Sequence, residues 1–147
     1  YGQVKDKFLD TEKKFNLRPD LVLEAGNKKF IADTKYKMVY SDESDPKKGI
    51  SQNDLYQMVA YAIRFNTTNI KLFYPKTIHS NGQTKVKAIH IKDTLAMDKS
   101  INIEAFQLSI IDKDITSDSL KESKLLFDSF EKLKSKLKLE LKEILLD

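Results

Sequence analysis

Asp20, Asp33 and Lys35 are the residues of this chain whose types and spacing can do chemistry. They lie in the stretch Arg18–Lys37, RPDLVLEAGNKKFIADTKYK, which otherwise reads as two apolar strands around a turn. Gly26-Asn27 between the apolar runs is a two-residue hairpin turn, with glycine supplying the positive φ. A turn there sets Asp20 opposite Asp33, Val22 opposite Ile31 and Arg18 opposite Lys35 on one surface. Leu21 then faces Ala32, and Leu23 faces Phe30, on the other. Opposed like charges destabilise a sheet by about 0.2–1 kcal/mol when exposed, and by more once solvent is excluded. A hard divalent cation relieves that repulsion, Mg2+ taking carboxylate oxygens at about 2.0–2.1 Å. Lys35, two residues after Asp33, points the same way. There an ammonium can orient a water or stabilise a pentacovalent phosphate. The chemistry implied is metal-assisted phosphodiester hydrolysis. Acids at strand ends and Asp-x-Lys triplets also arise by chance. The pairing register, which comes from the independent turn signal, favours a site, and a bulge near the turn would undo it.

The elements that must position these residues follow from periodicity. Tyr1–Asn16 reads as a short helix or an irregular lead-in. Leu17–Glu24 and Lys29–Tyr36 are the strands of the hairpin, and Ser41–Gly49 is a polar loop. Ser51–Asn66 reads as a helix, with Ser51 as N-cap, Asp54 three residues later, and an apolar stripe of Leu55, Met58, Val59, Ala62 and Ile63. Ile70–Tyr74, Val86–Ile91 and Ile101–Ile111 are further strands, with a turn at Ser80–Gln83. A long amphipathic helix fills 117–146, beginning near Asp118, with a seam of Leu126, Phe130, Leu133, Leu137, Leu141 and Ile144. This order predicts an α/β fold with a mixed central β-sheet flanked by helices.

A length of 147 residues suits one domain with a real core, burying about 70% of the unfolded surface. A net charge of +4 and a pI near 9.1 permit nucleic-acid binding without demanding it. Arginine occurs only at Arg18 and Arg64, so contact with nucleic acid would run through lysine and phosphate more than through base edges. The absence of cysteine excludes disulfides, cysteine-ligated zinc and iron–sulfur clusters. With no signal peptide and no membrane-length apolar run, a cytoplasmic protein is the simplest expectation. The chain opens on Tyr1, which suggests a fragment of something longer.

Pro19-Asp20, Asp33 and Lys35 resemble the Pro-Asp…(Asp/Glu)-x-Lys motif of the restriction-endonuclease-like nucleases. The succession LRPDLVLE, FIADTKYK and NDLYQMVAYA resembles the nuclease domain of the McrC family, subunits of McrBC-type modification-dependent restriction systems. The resemblance is specific over about Asn16–Ala62. It implies a restriction-endonuclease-like core and a single nuclease domain over 1–147, the C-terminal part of a longer McrC-like chain. It also implies Mg2+, with Mn2+ able to substitute, held by Asp20, Asp33 and the Thr34 carbonyl, and Lys35 as catalytic lysine. Gln57 and Tyr61 match a Gln-x-x-x-Tyr helix motif, Gln57 supporting catalysis and Tyr61 supporting Gln57. As partners it implies DNA, a McrB-like AAA+ GTPase and a possible dimer for double-strand cutting, with 5′-phosphate and 3′-hydroxyl products. Such nucleases often add an acid from an upstream helix, for which this chain offers Asp6, Asp10 and Glu12.

Other signals are weaker. His79 and His90 lack acids at ligand spacing. Without a glycine-rich phosphate loop no nucleotide is expected to bind, so GTP hydrolysis would belong to the motor subunit. Tyr61 can equally be a core aromatic with a wet tip, and Lys37 reads as a solvated strand end. The lysines of the last helix read as a solvated face, with a DNA or partner role as the sharper alternative. Two other functions remain open: a different nuclease of the same fold, such as a recombination exonuclease or junction resolvase, or a non-catalytic DNA-binding or assembly module. The intact Asp20, Asp33 and Lys35 weigh against the last.

Overall fold

Alternating apolar residues build the sheet, and two helices cover it. The computed structural model describes residues 7–25, 28–37, 44–76, 85–93, 99–110 and 123–146. In chain order the elements are β1 (Lys7–Phe8), β2 (Asn16–Leu17), β3 (Leu21–Ala25), β4 (Lys28–Thr34), α1 (Gln52–Phe65), β5 (Asn69–Pro75), β6 (Lys85–Asp93), β7 (Lys99–Leu108) and α2 (Ser123–Leu146). The main sheet runs β3-β4-β5-β7-β6, while β1 and β2 form a separate two-stranded pair. β3 is antiparallel to β4, β4 and β7 both run parallel to β5, and β6 is antiparallel to β7. The sheet is therefore mixed, as expected, and α1 is the crossover that lets β4 and β5 run parallel.

From Leu21 to Ala25 the hairpin register matches the one inferred from the turn, but the ladder stops at Leu21–Ala32, short of the expected Asp20–Asp33 and Arg18–Lys35 pairs, and Leu17 belongs to β2 rather than to this strand. Leu21 pairs with Ala32, Val22 with Ile31 and Leu23 with Phe30. The turn residues Gly26 and Asn27 themselves lie outside the described residues, as does the Ser80–Gln83 turn.

Alternation along each strand divides the core in two. Ile31, Ile70, Leu72, Tyr74, Ile101, Ile103 and Ala105 meet Met58, Tyr61, Ala62 and Phe65 of α1. Ala32, Phe73, Phe106 and Leu108 meet Ile144 of α2, with Leu137, Leu141 and Leu145 alongside. Ser51 caps α1 by accepting from the Asp54 amide, and Asn66 ends the helix in the left-handed region at φ 50°, a conformation asparagine tolerates better than most residues.

Four expectations need correction. The described part of the lead-in is a strand–turn–strand, not a helix: the Asp10 carboxylate accepts from the Lys14 and Phe15 amides and folds the chain back, an alternative to helical bonding that aspartate offers readily. Of the expected α1 stripe, Met58 and Ala62 are buried and Leu55 and Val59 pack against the core, but Ile63 is 58% exposed and Asp54, Tyr61 and Phe65 are buried instead. The last strand ends at Leu108, and Ile110 is exposed. The seam of α2 is buried only towards its C-terminus, Leu126 and Phe130 being exposed. No helix among the described residues is long and apolar enough to cross a membrane.

Candidate active site

Asp33 lies on the α1 face of β4, two residues beyond Ile31, where a core position would normally be apolar. It is 2% exposed. Its Oδ2 accepts no hydrogen bond of good geometry and rests on the Lys35 ammonium 2.6 Å away. Burial pushes the Asp33 carboxyl above the usual aspartate range; Lys35 opposes the shift and the nearby charge of Asp20 adds to it.

Asp20 sits one residue before the last described β3–β4 pair, after the buried Pro19. Its Oδ2 accepts from the Thr34 amide at 2.6 Å and from the Thr34 hydroxyl. The two acids are thus held from one strand: Asp33 belongs to β4, and Thr34 of β4 grips Asp20. The amide and hydroxyl of Thr34 had no sequence signal of this role, which depends on where the hairpin ladder stops.

Lys35 leaves β4 but stays tied to the sheet, its amide donating to the Phe73 carbonyl at 2.8 Å. Its ammonium donates to Gln57 Oε1 at 2.6 Å. An ammonium has no acceptor to offer, so the Gln57 oxygen must face Lys35 and the amide nitrogen must face away. That nitrogen donates to the Tyr61 hydroxyl at 2.7 Å. The hydroxyl in turn donates to the Arg18 carbonyl at 3.0 Å. Burial, aided by the charges of Asp33 and Asp20, pushes the Tyr61 phenol up to about 12, which keeps it a donor. The chain of contacts runs from β4 through one face of α1 to the segment that carries Asp20. Tyr61 is both a core aromatic and a polar link, 2% exposed.

The structure therefore brings together Asp20, Asp33, Thr34, Lys35, Gln57 and Tyr61. It does not bring Glu12 there: that residue is exposed in the β1–β2 turn and pairs with Lys14. Asp10 is spent on its own turn, and Asp6 lies outside the described residues. Among the described residues no group of three acids or histidines is disposed to hold a metal ion. His90 is exposed on β6, and His79 lies outside the described residues.

Lys37 is exposed, as a solvated strand end would be, but its ammonium is not free. Its ammonium lies 2.6 Å from Asp54 Oδ2 and 3.0 Å from the Ser51 hydroxyl. Asp54 is buried and accepts from the Tyr74 hydroxyl at 2.8 Å. Its place one turn before Gln57, on the same helix face, was the available signal.

Fold and contacts define an α/β domain that presents an acid pair and a lysine where β4 leaves its sheet. A model of the family described as "McrBC 5-methylcytosine restriction system component" matches residues 2–75, and the chain belongs to this family. The match spans every residue of the cluster. No curated protein and no solved structure shows a significant match to the chain.

Proposed function

We propose that this chain carries the metal-dependent DNA-cleaving centre of its restriction system. The observation that supports this most is Asp33: a buried carboxylate held against one lysine, with a second acid beside it. Two carboxylates against a single ammonium leave negative charge uncompensated, and the donors are hard oxygens, so the residues fit a hard cation. Asp20, Asp33 and the Thr34 carbonyl would hold Mg2+, for which Mn2+ can substitute. When bound, the ion would act as Lewis acid toward the phosphodiester and offset the charge of the acid pair.

The chain's own residues do the rest. Lys35 lies against Asp33 and is aimed by Gln57, so its ammonium can orient the attacking water or stabilise charge developing on phosphorus. Gln57 gains its orientation from Tyr61. DNA is the substrate this reading implies, and the net charge of +4 favours an encounter with it. Membership of the McrBC family supports a McrB-like GTPase as the partner, and two copies would be needed to cut both strands.

Plasmid DNA containing 5-methylcytosine, incubated with the chain, Mg2+, a cognate GTPase and GTP, tests the proposal. Cleavage to 5′-phosphate ends is expected. Undiminished cleavage by Lys35→Ala or Asp33→Asn would sink it.

A further inference from the structure

The geometry points to Asp54 as a positioning residue for the Lys35–Gln57 contact, acting through Lys37. Its consequence for cleavage rests on the nuclease reading above, whereas its geometry does not.

Residues 35–37 have left the ladder of β4. The Lys35 amide still reaches the Phe73 carbonyl, and the Lys37 amide closes a tight bend on the Lys35 carbonyl at 2.8 Å. Side chains hold this tail against α1 through two parallel links. Despite the bend, the side chains of Lys35 and Lys37 both reach α1. Gln57 and Asp54, three residues apart on a helix, meet them on one face. The links are Lys35 to Gln57 at 2.6 Å and Lys37 to Asp54 at 2.6 Å.

The second link is the better anchored. Asp54 is fixed from the sheet by the Tyr74 hydroxyl at 2.8 Å, and Tyr74 of β5 is itself buried. Ser51 binds both the Asp54 amide and the Lys37 ammonium. A carboxylate in this buried place is tolerable because Lys37 pairs with it. The charged link therefore ties the exit of β4, the first turn of α1 and strand β5 at one point. Its neighbour, the link that faces the acid pair, has no such tie to the sheet through Gln57. Without the anchor, the bend is held only at its Lys35 end, and a displacement of about 1 Å can cost up to roughly 100-fold in rate.

Asp54→Asn keeps an acceptor for Tyr74 and removes the charge that holds Lys37. The first readout is exchange of the Lys35 ammonium protons with water by NMR, with assignment from Lys35→Arg. Faster exchange in Asp54→Asn is expected, and unchanged protection overturns the inference. The second is single-turnover DNA cleavage. Asp54→Asn should cut about tenfold more slowly at unchanged DNA affinity. In a Gln57→Ala background the further loss should stay within about twofold. An equal loss in both backgrounds marks a separate structural contribution and overturns the inference. If the parent chain cuts no DNA, the nuclease reading fails while ammonium exchange still decides the positioning. Should Asp54→Asn fail to fold, Lys37→Met leaves the Asp54–Tyr74 bond in place and carries the same expectations.

Discussion

Two lysine–carboxylate pairs lie partly shielded against one sheet, Lys35–Asp33 on the α1 face and Lys71–Glu104 on the opposite face, where α2 packs. Lys71 and Glu104 are direct cross-strand partners on β5 and β7, 3.3 Å apart. The Lys71 ammonium also lies over the Phe30 and Phe106 rings, at 5.9 and 5.4 Å from their centroids. Lysine meets acid there, and the aromatic faces add to the stabilisation of the ammonium. Lys35 and Asp33 are neighbours on one chain segment instead, and Asp20 adds a second carboxylate beside them. Comparable shielding thus surrounds a cross-strand ion pair on one face, whereas on the other the shielded Asp33 has a second, exposed carboxylate, Asp20, beside it. Burial of an ion pair says little about function; the uncompensated acid does.

The sharpest way to break this comparison is to neutralise each pair in turn. Lys35→Ala or Asp33→Asn should reduce DNA cleavage by at least about 10²–10³-fold. The double variant Lys71→Met/Glu104→Gln should leave cleavage within about twofold. A similar loss from both would erase the distinction between the faces.

Next in size is the core that holds α1 in place. Met58 is 0% exposed against the sheet, and Met58→Ala should cost about 2–5 kcal/mol in urea unfolding. Smaller is the penalty for splitting the matched pair: Glu104→Leu alone should cost about 1–3 kcal/mol, and Lys71→Met/Glu104→Leu should recover most of it. Failure of the double variant to recover would mean that the aromatic setting of Lys71 matters more than its charge partner.

The two acids of the α1 face also differ in sign. Burial raises the Asp54 carboxyl, but Lys37, Tyr74 and Ser51 lower it more, so its net shift is downward. The folded chain then binds fewer protons at this position than the unfolded one. The stability contributed by Asp54 is present above the ordinary value of 3.8 and is lost as pH falls below it. Urea titrations of the parent and Asp54→Asn should therefore differ most near neutral pH and converge in strong acid. For Asp33, raised by burial, the sign is reversed, and its cost grows as pH rises through its folded value. The smallest effect is expected at Phe130, which is 57% exposed on α2: Phe130→Ala should change stability by no more than about 0.5 kcal/mol.

Much of the site was legible because its parts are close in the chain. A tight turn and a period of two sufficed to give the β3–β4 register and to put Asp20 near Asp33 and Lys35. Helical spacing sufficed to put Gln57 and Tyr61 on one face. The same logic placed Leu55, Met58, Val59 and Ala62 on the core but misjudged Ile63, and it did not foresee the burial of Asp54, Tyr61 and Phe65. Hydropathy alone could not know that an aspartate would find a buried hydroxyl and a lysine waiting for it.

What the sequence determined by itself is the local chemistry: two acids and a lysine around a hairpin, a capped helix after them, and membership of a restriction-system family through residues 2–75. What only the tertiary structure decided is how distant strands line up. The parallel pairing of β4 with β5, and of β5 with β7, sets Tyr74 under Asp54 and Lys71 beside Glu104. Parallel strands join through long crossovers, so no turn residue announces their register. It is settled by which side chains fill the space between sheet and helices, a property of the packed core.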